Sequence, residues 1–390
     1  MLTAEENEVL TRVGPGTPAG ELLRRYWYPV AFAADLSPEQ PTRFVRLLGE
    51  DLVLFLDRSG RAGLLADHCA HRGASLCYGR VEERGISCAY HGWLYDTDGN
   101  VLETPPERND AIIKHVKQSA YPVQRYLGLY WAYLGPLPAP VIPKYDLWER
   151  KDGTRRLYIR GELDCNWFQT MENAVDPAHL QILHQEFIGV RAGHQDADGD
   201  TRPVNTTRGY TDDVVSFEFI LTSYGIIKKR TYTNGLVDEH PLIFPNILRQ
   251  GNGTEIRVPL DDTHTRLYQV RFYPTPDGSL VDQAEPTLEQ GDPHKHPMGA
   301  PHPVARYTMH AVDAQDYMAW ETQGPIADRS REHLAYSDRG VVLLRRLVLE
   351  QIERVQRGAD PLGVVRDPAH AMIDTCLTAT LEELGLIGAR

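Results

Sequence analysis

The chain has 390 residues, 42% of them hydrophobic, and a formal net charge of -13. That length exceeds the needs of a bare electron carrier and suggests two or three domains, while the acidic balance argues against a general nucleic-acid surface, which needs a Lys/Arg excess to displace counterions from phosphates. A locally basic patch for an acidic redox partner stays open. No apolar run is long enough to span a bilayer, and the N-terminus, with Glu5, Glu6 and Glu8, lacks the basic-then-apolar pattern of a secretory signal, so no membrane contact and a cytoplasmic location are expected. Five cysteines are too few and too scattered for a disulfide framework, and Cys77, Cys165 and Cys376 are expected as reduced, mostly buried thiols.

Residues 1 to 39 read as two short helices joined by the turn Gly14-Pro15-Gly16-Thr17-Pro18, the first capped by Thr3 and the second running from Glu21 to Trp27. From Arg43 to about Ala66 three short apolar pieces, Phe44 to Leu48, Leu52 to Leu56 and Ala62 to Leu65, are separated by turn residues and predict an antiparallel meander. Two loops follow, Cys69-Ala70-His71-Arg72-Gly73 and Cys88-Ala89-Tyr90-His91-Gly92-Trp93, each offering one thiolate and one imidazole, and the flanking turns place both at hairpin tips. Thiolates are strong donors that hold ferric iron at low potential, whereas imidazoles donate less charge. Two of each form the ligand set of a Rieske [2Fe-2S] centre. Zinc is the alternative, since two Cys and two His also satisfy a tetrahedral ion; against it, zinc fingers usually pair like with like, whereas here each loop carries one of each. The Pro-rich segment from Tyr121 to Tyr145 reads as the exit from this small domain.

A second constellation runs from Asn166 to His184. Asp176 and His179 are three apart and would share one helix face. His184 is five beyond His179, about 140° round a regular helix, so both rings can meet one metal only if the helix ends or widens there. Two imidazoles and a distant carboxylate make the facial triad of non-haem iron(II), with positions left open for dioxygen; a hydrogen-bonded pair of core or surface histidines is the plainer alternative. From about Arg202 to Tyr273 the pattern is again β-like, with Val214 to Ile220 and Leu267 to Tyr273 as clear pieces of one large curved antiparallel sheet. A polar loop from Pro274 to Pro303 interrupts it, and its His294, His296 and His302 read as solvated. From Ala314 onward the chain reads as helical, through Gly340 to Glu350 and a last segment near Thr375 to Leu384.

With both constellations in view, the chain resembles the large (alpha) subunits of Rieske non-haem iron aromatic ring-hydroxylating oxygenases, within them the phthalate 4,5-dioxygenase group. The likeness runs from Arg12-Val13-Gly14-Pro15-Gly16-Thr17-Pro18 and Arg25-Tyr26-Trp27 through Asn166-Trp167 and Asp176-Pro177-Ala178-His179 to Gly324-Pro325-Ile326-Ala327-Asp328-Arg329. The resemblance implies an α+β chain: N-terminal helices (1–39) packing with the catalytic domain, a small antiparallel β Rieske domain (40–145), and a larger helix-grip (START-like) catalytic domain (146–390) with a curved sheet and covering helices. By that likeness Cys69 and Cys88 hold one cluster iron and His71 and His91 the other. His179 and His184 bind a mononuclear Fe(II), with Asp316 as third ligand and Asp313 as its rival. Asp176 would bridge the ligand histidine to a cluster histidine of the neighbouring subunit, a role that suits a carboxylate able to accept a ligand histidine's free N-H; capping a helix begun by Pro177 is compatible with it. Asn173 would lie near the iron without binding it.

The family also implies a ring of three or stacked trimers, O2 as cosubstrate, and a small aromatic substrate of the phthalate or phenoxybenzoate type that is cis-dihydroxylated, with O- or N-demethylation as the alternative. A carboxylate on the substrate could pair with Lys228, Lys229, Arg230, Arg249 or Arg257, among which Arg249 and Lys228 are the first candidates. No glycine-rich nucleotide fingerprint is present, so electrons from NAD(P)H would arrive through a separate flavin and ferredoxin-type reductase. An electron-transfer or binding protein that keeps the cluster but lacks a working triad is the remaining reading from another class.

Overall fold

Thr3 opens the first helix. Its side chain accepts the Glu6 N-H while the Glu6 carboxylate accepts the Thr3 N-H, a closed capping box ahead of α1 (Ala4–Thr11). Thr17 caps α2 (Pro18–Leu23), with Pro18 at the first helical position where its missing N-H costs nothing. The second helix was expected to reach Trp27. It stops at Leu23, and Trp27 instead begins a fully buried strand. The computed structural model describes residues 2–109, 111–184, 214–290, 306–307 and 311–375.

Contacts divide the chain into a unit of residues 13–142 and a larger unit of 1–12 with 143–390. The division lies after Arg12, where the expectation had drawn it after residue 39, because the aromatic stretch enters the small unit's sheets as β1 (Trp27–Phe32). The meander follows as expected: β2 (Thr42–Leu47), β3 (Glu50–Leu56) and β4 (Ala62–Ala66) pair in that order, all antiparallel. Then β5 (Arg80–Glu82), β6 (Gly85–Ser87), β7 (Leu94–Tyr95) and β8 (Val101–Glu103) make a four-stranded sheet. Two further strands, β9 (Val123–Tyr126) and β10 (Leu129–Tyr133), complete a sheet ordered β1-β10-β9. Val53, Phe55, Leu65, Leu76, Ile86, Trp93 and Tyr95 bury one core, and Cys69 and Cys88 belong to it.

In the larger unit, β11 (Lys144–Tyr145) and α3 (Asp146–Glu149) lead into β12 (Gly153–Leu163), α4 (Trp167–Val175) and α5 (His179–Leu183). The sheet continues with β13 (Val214–Leu221), β14 (Gly225–Tyr232), β15 (Val237–Ile243), β16 (Ile247–Gln250), β17 (Gly253–Pro259), β18 (Thr265–Pro274) and β19 (Thr287–Gln290). Its order is β13-β14-β15-β16-β17-β18-β12-β19, antiparallel except where β19 runs parallel to β12. That last strand falls in the stretch expected as loop: an edge strand of four residues pairs on one side alone, and so short a piece carries little periodicity. Over the sheet lie α4, α6 (Val312–Glu321) and α7 (Arg339–Gln356), and β20 (Met372–Ile373) pairs with β11. α4 buries Trp167, Phe168, Met171, Ala174 and Val175, an apolar stripe that packs on α7 and β17. The class is α+β, a small antiparallel β domain and a larger helix-grip domain. Among the described residues no helix is long and apolar enough to cross a membrane. The expected strand start over 202–213, the loop histidines His294, His296 and His302, Cys376 and the expected helical segment after Thr375 lie outside the described residues.

Candidate metal centres

The two cysteine-histidine loops are near copies in backbone. In the first, Cys69 N-H donates to Ala74 O (2.9 Å) and Gly73 N-H returns to Cys69 O (2.8 Å); in the second, Cys88 N-H donates to Trp93 O (2.9 Å) and Gly92 N-H to Cys88 O (2.9 Å). Each turn closes on a glycine four residues after its cysteine with φ near +75°, 75° at Gly73 and 74° at Gly92, a conformation that a side chain would strain. The second loop joins β6 to β7 through the Ser87↔Leu94 pair, and a His68↔Ser75 bridge closes the first, so both are hairpin tips. The His71 and His91 rings stand 4.6 Å apart, and Trp93 stacks flat on His71 at 4.6 Å.

Both cysteines are buried, and burial and the adjoining Cys69 push the Cys88 thiol up. A coordinated metal cation deprotonates such a thiol outright. His71 Nδ1 is buried with no hydrogen-bond partner among the described residues, an atom whose burial a metal bond would satisfy. The donor set therefore fits a two-iron cluster. Two neighbours were not foreseen: the Tyr95 hydroxyl lies 3.0 Å from Cys69 Sγ, and Gln118 accepts the Ala70 N-H (2.8 Å) while donating to Ala66 O and His68 O.

In the larger unit α4 ends at Val175 and α5 begins at His179, with Asp176-Pro177-Ala178 between them. α5 stops after one turn, with His184 past its end at φ -102°, ψ 1°. This is the helix end that the five-residue spacing required. The His179 and His184 rings lie edge to face at 5.4 Å, and Asp316, on α6, completes the set. One ligand atom from each of His179, His184 and Asp316 lies within 4.8 Å of the other two. His184 Nε2 is 3.3 Å and His179 Nε2 3.9 Å from Asp316 Oδ1, close to the spacing that a divalent ion bonded at about 2.1 Å imposes.

Behind the far nitrogens stand Gln315 and Asp176, of which only Gln315 is at hydrogen-bond distance. His184 Nδ1 meets Gln315 Oε1 at 2.6 Å, which assigns its proton to Nδ1 and turns the Nε2 lone pair toward Asp316. His179 Nδ1 lies 3.4 Å from Asp176 Oδ2. Burial lowers His184's proton affinity, but Asp316 and Gln315 outweigh it and the net shift is upward; burial dominates at His179, whose shift is downward. A carboxylate that favours a proton on a ring also favours a metal cation beside it. Burial opposes ionisation of Asp176, yet His179, the Ala178 N-H and the Lys228 charge hold its carboxyl below the usual range. Its Oδ1 also accepts the Ala178 N-H at 2.8 Å, which closes the turn ahead of α5; the helix begins at His179 and not at Pro177, and among the described residues no side chain caps it. Asn173 Nδ2 reaches Asp316 Oδ1 at 3.4 Å. Asp313, the rival ligand, instead pairs with Arg160 of β12 at 2.7 Å.

Long-range contacts place α6. Leu163, Cys165, Leu267, Tyr317 and Trp320 form its core. Gln169 of α4 donates to Trp320 O (2.9 Å) and Gly324 O (3.0 Å) and accepts the Ala327 N-H (2.8 Å). Arg329 forks onto Glu172 at 2.6 Å. The Gly324 to Arg329 motif is thus a clasp on the helix that carries Asn173. Of the expected substrate cations, Arg249 has its Nη1 2.8 Å and 2.9 Å from the Asp146 oxygens and 2.6 Å from Thr375 Oγ1. Arg257 pairs with Glu255 (2.7 Å), Arg230 pairs with Asp238, and Lys229 faces the other side of β14, across from Glu218 and Glu239. Lys228 is brought to the site segment, with Nζ 3.0 Å from the backbone oxygen of Asp176.

Comparison with known proteins agrees with this geometry. Residues 26–125 match the Rieske [2Fe-2S] domain family, which settles iron-sulfur over zinc, and residues 305–377 match the family described as LigXa C-terminal domain like. The chain is 38% identical to the 5,5'-dehydrodivanillate O-demethylase oxygenase subunit of a Sphingobium species over 95% of its own length and 85% of that protein. It is 35% identical to the phthalate 4,5-dioxygenase oxygenase subunit of Pseudomonas putida, covering 93% of this chain and 89% of that one. Among solved structures, Pseudomonas putida CBB5 NdmB shares the fold with a TM-score of 0.57 at 18% identity, over 86% of this chain and 99% of the other. The chain therefore belongs to the Rieske non-haem iron oxygenases, as an oxygenase (alpha) subunit of the phthalate 4,5-dioxygenase-like group that uses a [2Fe-2S] cluster, a mononuclear iron and O2.

Proposed function

We propose that this oxygenase acts on an aromatic carboxylate and cis-dihydroxylates it, with His179, His184 and Asp316 as the mononuclear iron ligands, Cys69 and Cys88 on one cluster iron and His71 and His91 on the other. The observation that carries the metal assignment is the convergence of three donor atoms within 4.8 Å from segments far apart in the chain, in a chain that also holds both cysteine-histidine loops; the likeness to the phthalate 4,5-dioxygenase subunit supports the substrate and the reaction. When bound, the iron activates dioxygen and the cluster supplies electrons; the protein supplies position and timing. Gln315 accepts the His184 Nδ1 proton, and the Asp176 carboxylate stands 3.4 Å from His179 Nδ1, so both rings turn Nε2 toward Asp316. Asp176 is the link between a ligand histidine and a neighbouring subunit's cluster in a ring of three or stacked trimers, and Asn173 steadies the Asp316 carboxylate. An NAD(P)H-dependent flavin and ferredoxin-type reductase is the electron donor, and family membership supports both partner and assembly.

O-demethylation is the second reading, favoured by the 38% identical O-demethylase. The test supplies phthalate, phenoxybenzoate and methoxylated aromatic acids with a surrogate reductase and analyses the products. A cis-dihydrodiol supports the first reading and formaldehyde with a phenol the second. If His179→Ala retained oxygen-dependent turnover, that would falsify the ligand assignment. Asp176→Asn is expected to keep both metals at saturating iron, with weaker affinity at the mononuclear site, while cluster-to-iron transfer slows; unchanged single-turnover kinetics would remove the link.

A further inference from the structure

The joint between α4 and α5 is not helical. Pro177 has no N-H to give, and α4 ends at Val175, so the Asp176 and Pro177 carbonyls lie just past the negative end of its dipole. Two cations from the sheet meet two consecutive carbonyls there: Lys228 Nζ donates to Asp176 O at 3.0 Å and Arg230 Nη1 to Pro177 O at 3.4 Å. They are two residues apart on β14 and so share one face. Both are buried, at 3% and 1% exposure. Arg230 is braced in turn, its Nε donating to Asp238 Oδ2 at 2.9 Å and Asp238 Oδ1 meeting His240 Nε2 at 3.0 Å, across the Arg230↔Asp238 and Lys228↔His240 register of β15. A third cation, Arg257 of β17, bonds Thr170 O further up α4. Burying an ammonium or guanidinium is costly unless it gains such acceptors.

We propose that Lys228 and Arg230 are positioning residues for the mononuclear site: they grip the Asp176 and Pro177 carbonyls and hold the joint in the conformation that sets the Asp176 carboxylate behind His179. The inference rests on the reading of His179 as a ligand and Asp176 as the group that orients it. Lys228 is therefore assigned to the backbone of the site and not to the substrate's carboxylate.

The test uses the full chain with its cluster loaded and Co(II) as the probe of the second site, read by its visible spectrum and dissociation constant. Lys228→Met and Arg230→Gln are each expected to weaken Co(II) binding about tenfold and to shift its spectrum in the same sense as Asp176→Asn, while the cluster band stays unchanged. Lys228→Gln keeps an N-H donor and is expected to recover most of the loss. Since the lysine acts through Asp176, Lys228→Met added to Asp176→Asn should change little further, whereas a general loosening of the fold would add in full. A silent Lys228→Met beside an active Asp176→Asn, or full additivity, overturns this inference alone. A silent Asp176→Asn overturns the reading of Asp176, and the inference falls with it.

Discussion

The two metal centres are built on opposite plans. In the small unit, all four donors come from two loops within residues 69–91, and each loop is closed by its own cysteine carbonyl and its own glycine. In the larger unit the candidate donors come from α5, from the residue just past its end and from α6, and nearly every group that orients them is distant in sequence: Gln315 behind His184, Gln169 tying α4 to the end of α6, and sheet cations under the α4–α5 joint. A centre made by local chelation depends on its turns, while one made by packing depends on the whole core around it. The first should survive changes that loosen the second.

Exchange of ligands tests this most severely. Cys69→Ser should abolish the cluster's visible band yet leave Co(II) binding at the other site, and Asp316→Ala should abolish turnover with the cluster spectrum intact; loss of both centres from either change would end the claim of independent construction. Next in size is Trp320→Ala, which opens the core that seats α6. It should cost about 3–5 kcal/mol in denaturant unfolding of the larger unit and release iron from the mononuclear site, with little change in the cluster spectrum. Gln315→Leu removes the acceptor behind His184 and should weaken ferrous iron binding about 10–100-fold, measured by chelator competition.

Tyr95→Phe probes the cluster side. Loss of a hydroxyl hydrogen bond to Cys69 sulfur, worth about 1 kcal/mol, should lower the reduction potential by about 40 mV in a spectroelectrochemical titration. An unmoved potential would mean that the tyrosine packs against the sulfur without donating. The mildest effect concerns acid. Burial opposes ionisation of Asp238 and Asp146, but His240 with Arg230, and Arg249 with Thr375, hold these carboxyls below the usual range. A depressed folded value gives stability that is present above the unfolded value and lost as pH falls, so the larger unit should begin to weaken below about pH 4. Stability rising on acidification would reverse that sign.

The cluster loops were legible because a Cys-x-His and a Cys-x-x-His, each with a glycine in register, need no other part of the chain to define them. His179 and His184 were legible with one condition, that the helix end between them, and α5 does end there. Other features could not be read in order along the chain. Asp313 and Asp316 are both acidic residues on one helix, and Arg160, arriving on β12, claims the first. Arg249 has the charge to receive a carboxylate, and the one it pairs with in the fold is Asp146, 103 residues away in the chain. The second N-terminal helix stopped early because Trp27 finds a strand partner in Tyr133, a pairing that no local propensity announces.

By itself the sequence determined what could ligate: two thiols and two imidazoles at loop spacing, two further imidazoles, and a carboxylate somewhere downstream. That much is set by side-chain chemistry and short-range geometry, which travel with the residues. Only the tertiary structure decided which carboxylate faces the imidazoles, which nitrogen each ring presents, and which buried cations serve the backbone, because those outcomes depend on how α6 and the sheet pack against α4 and α5.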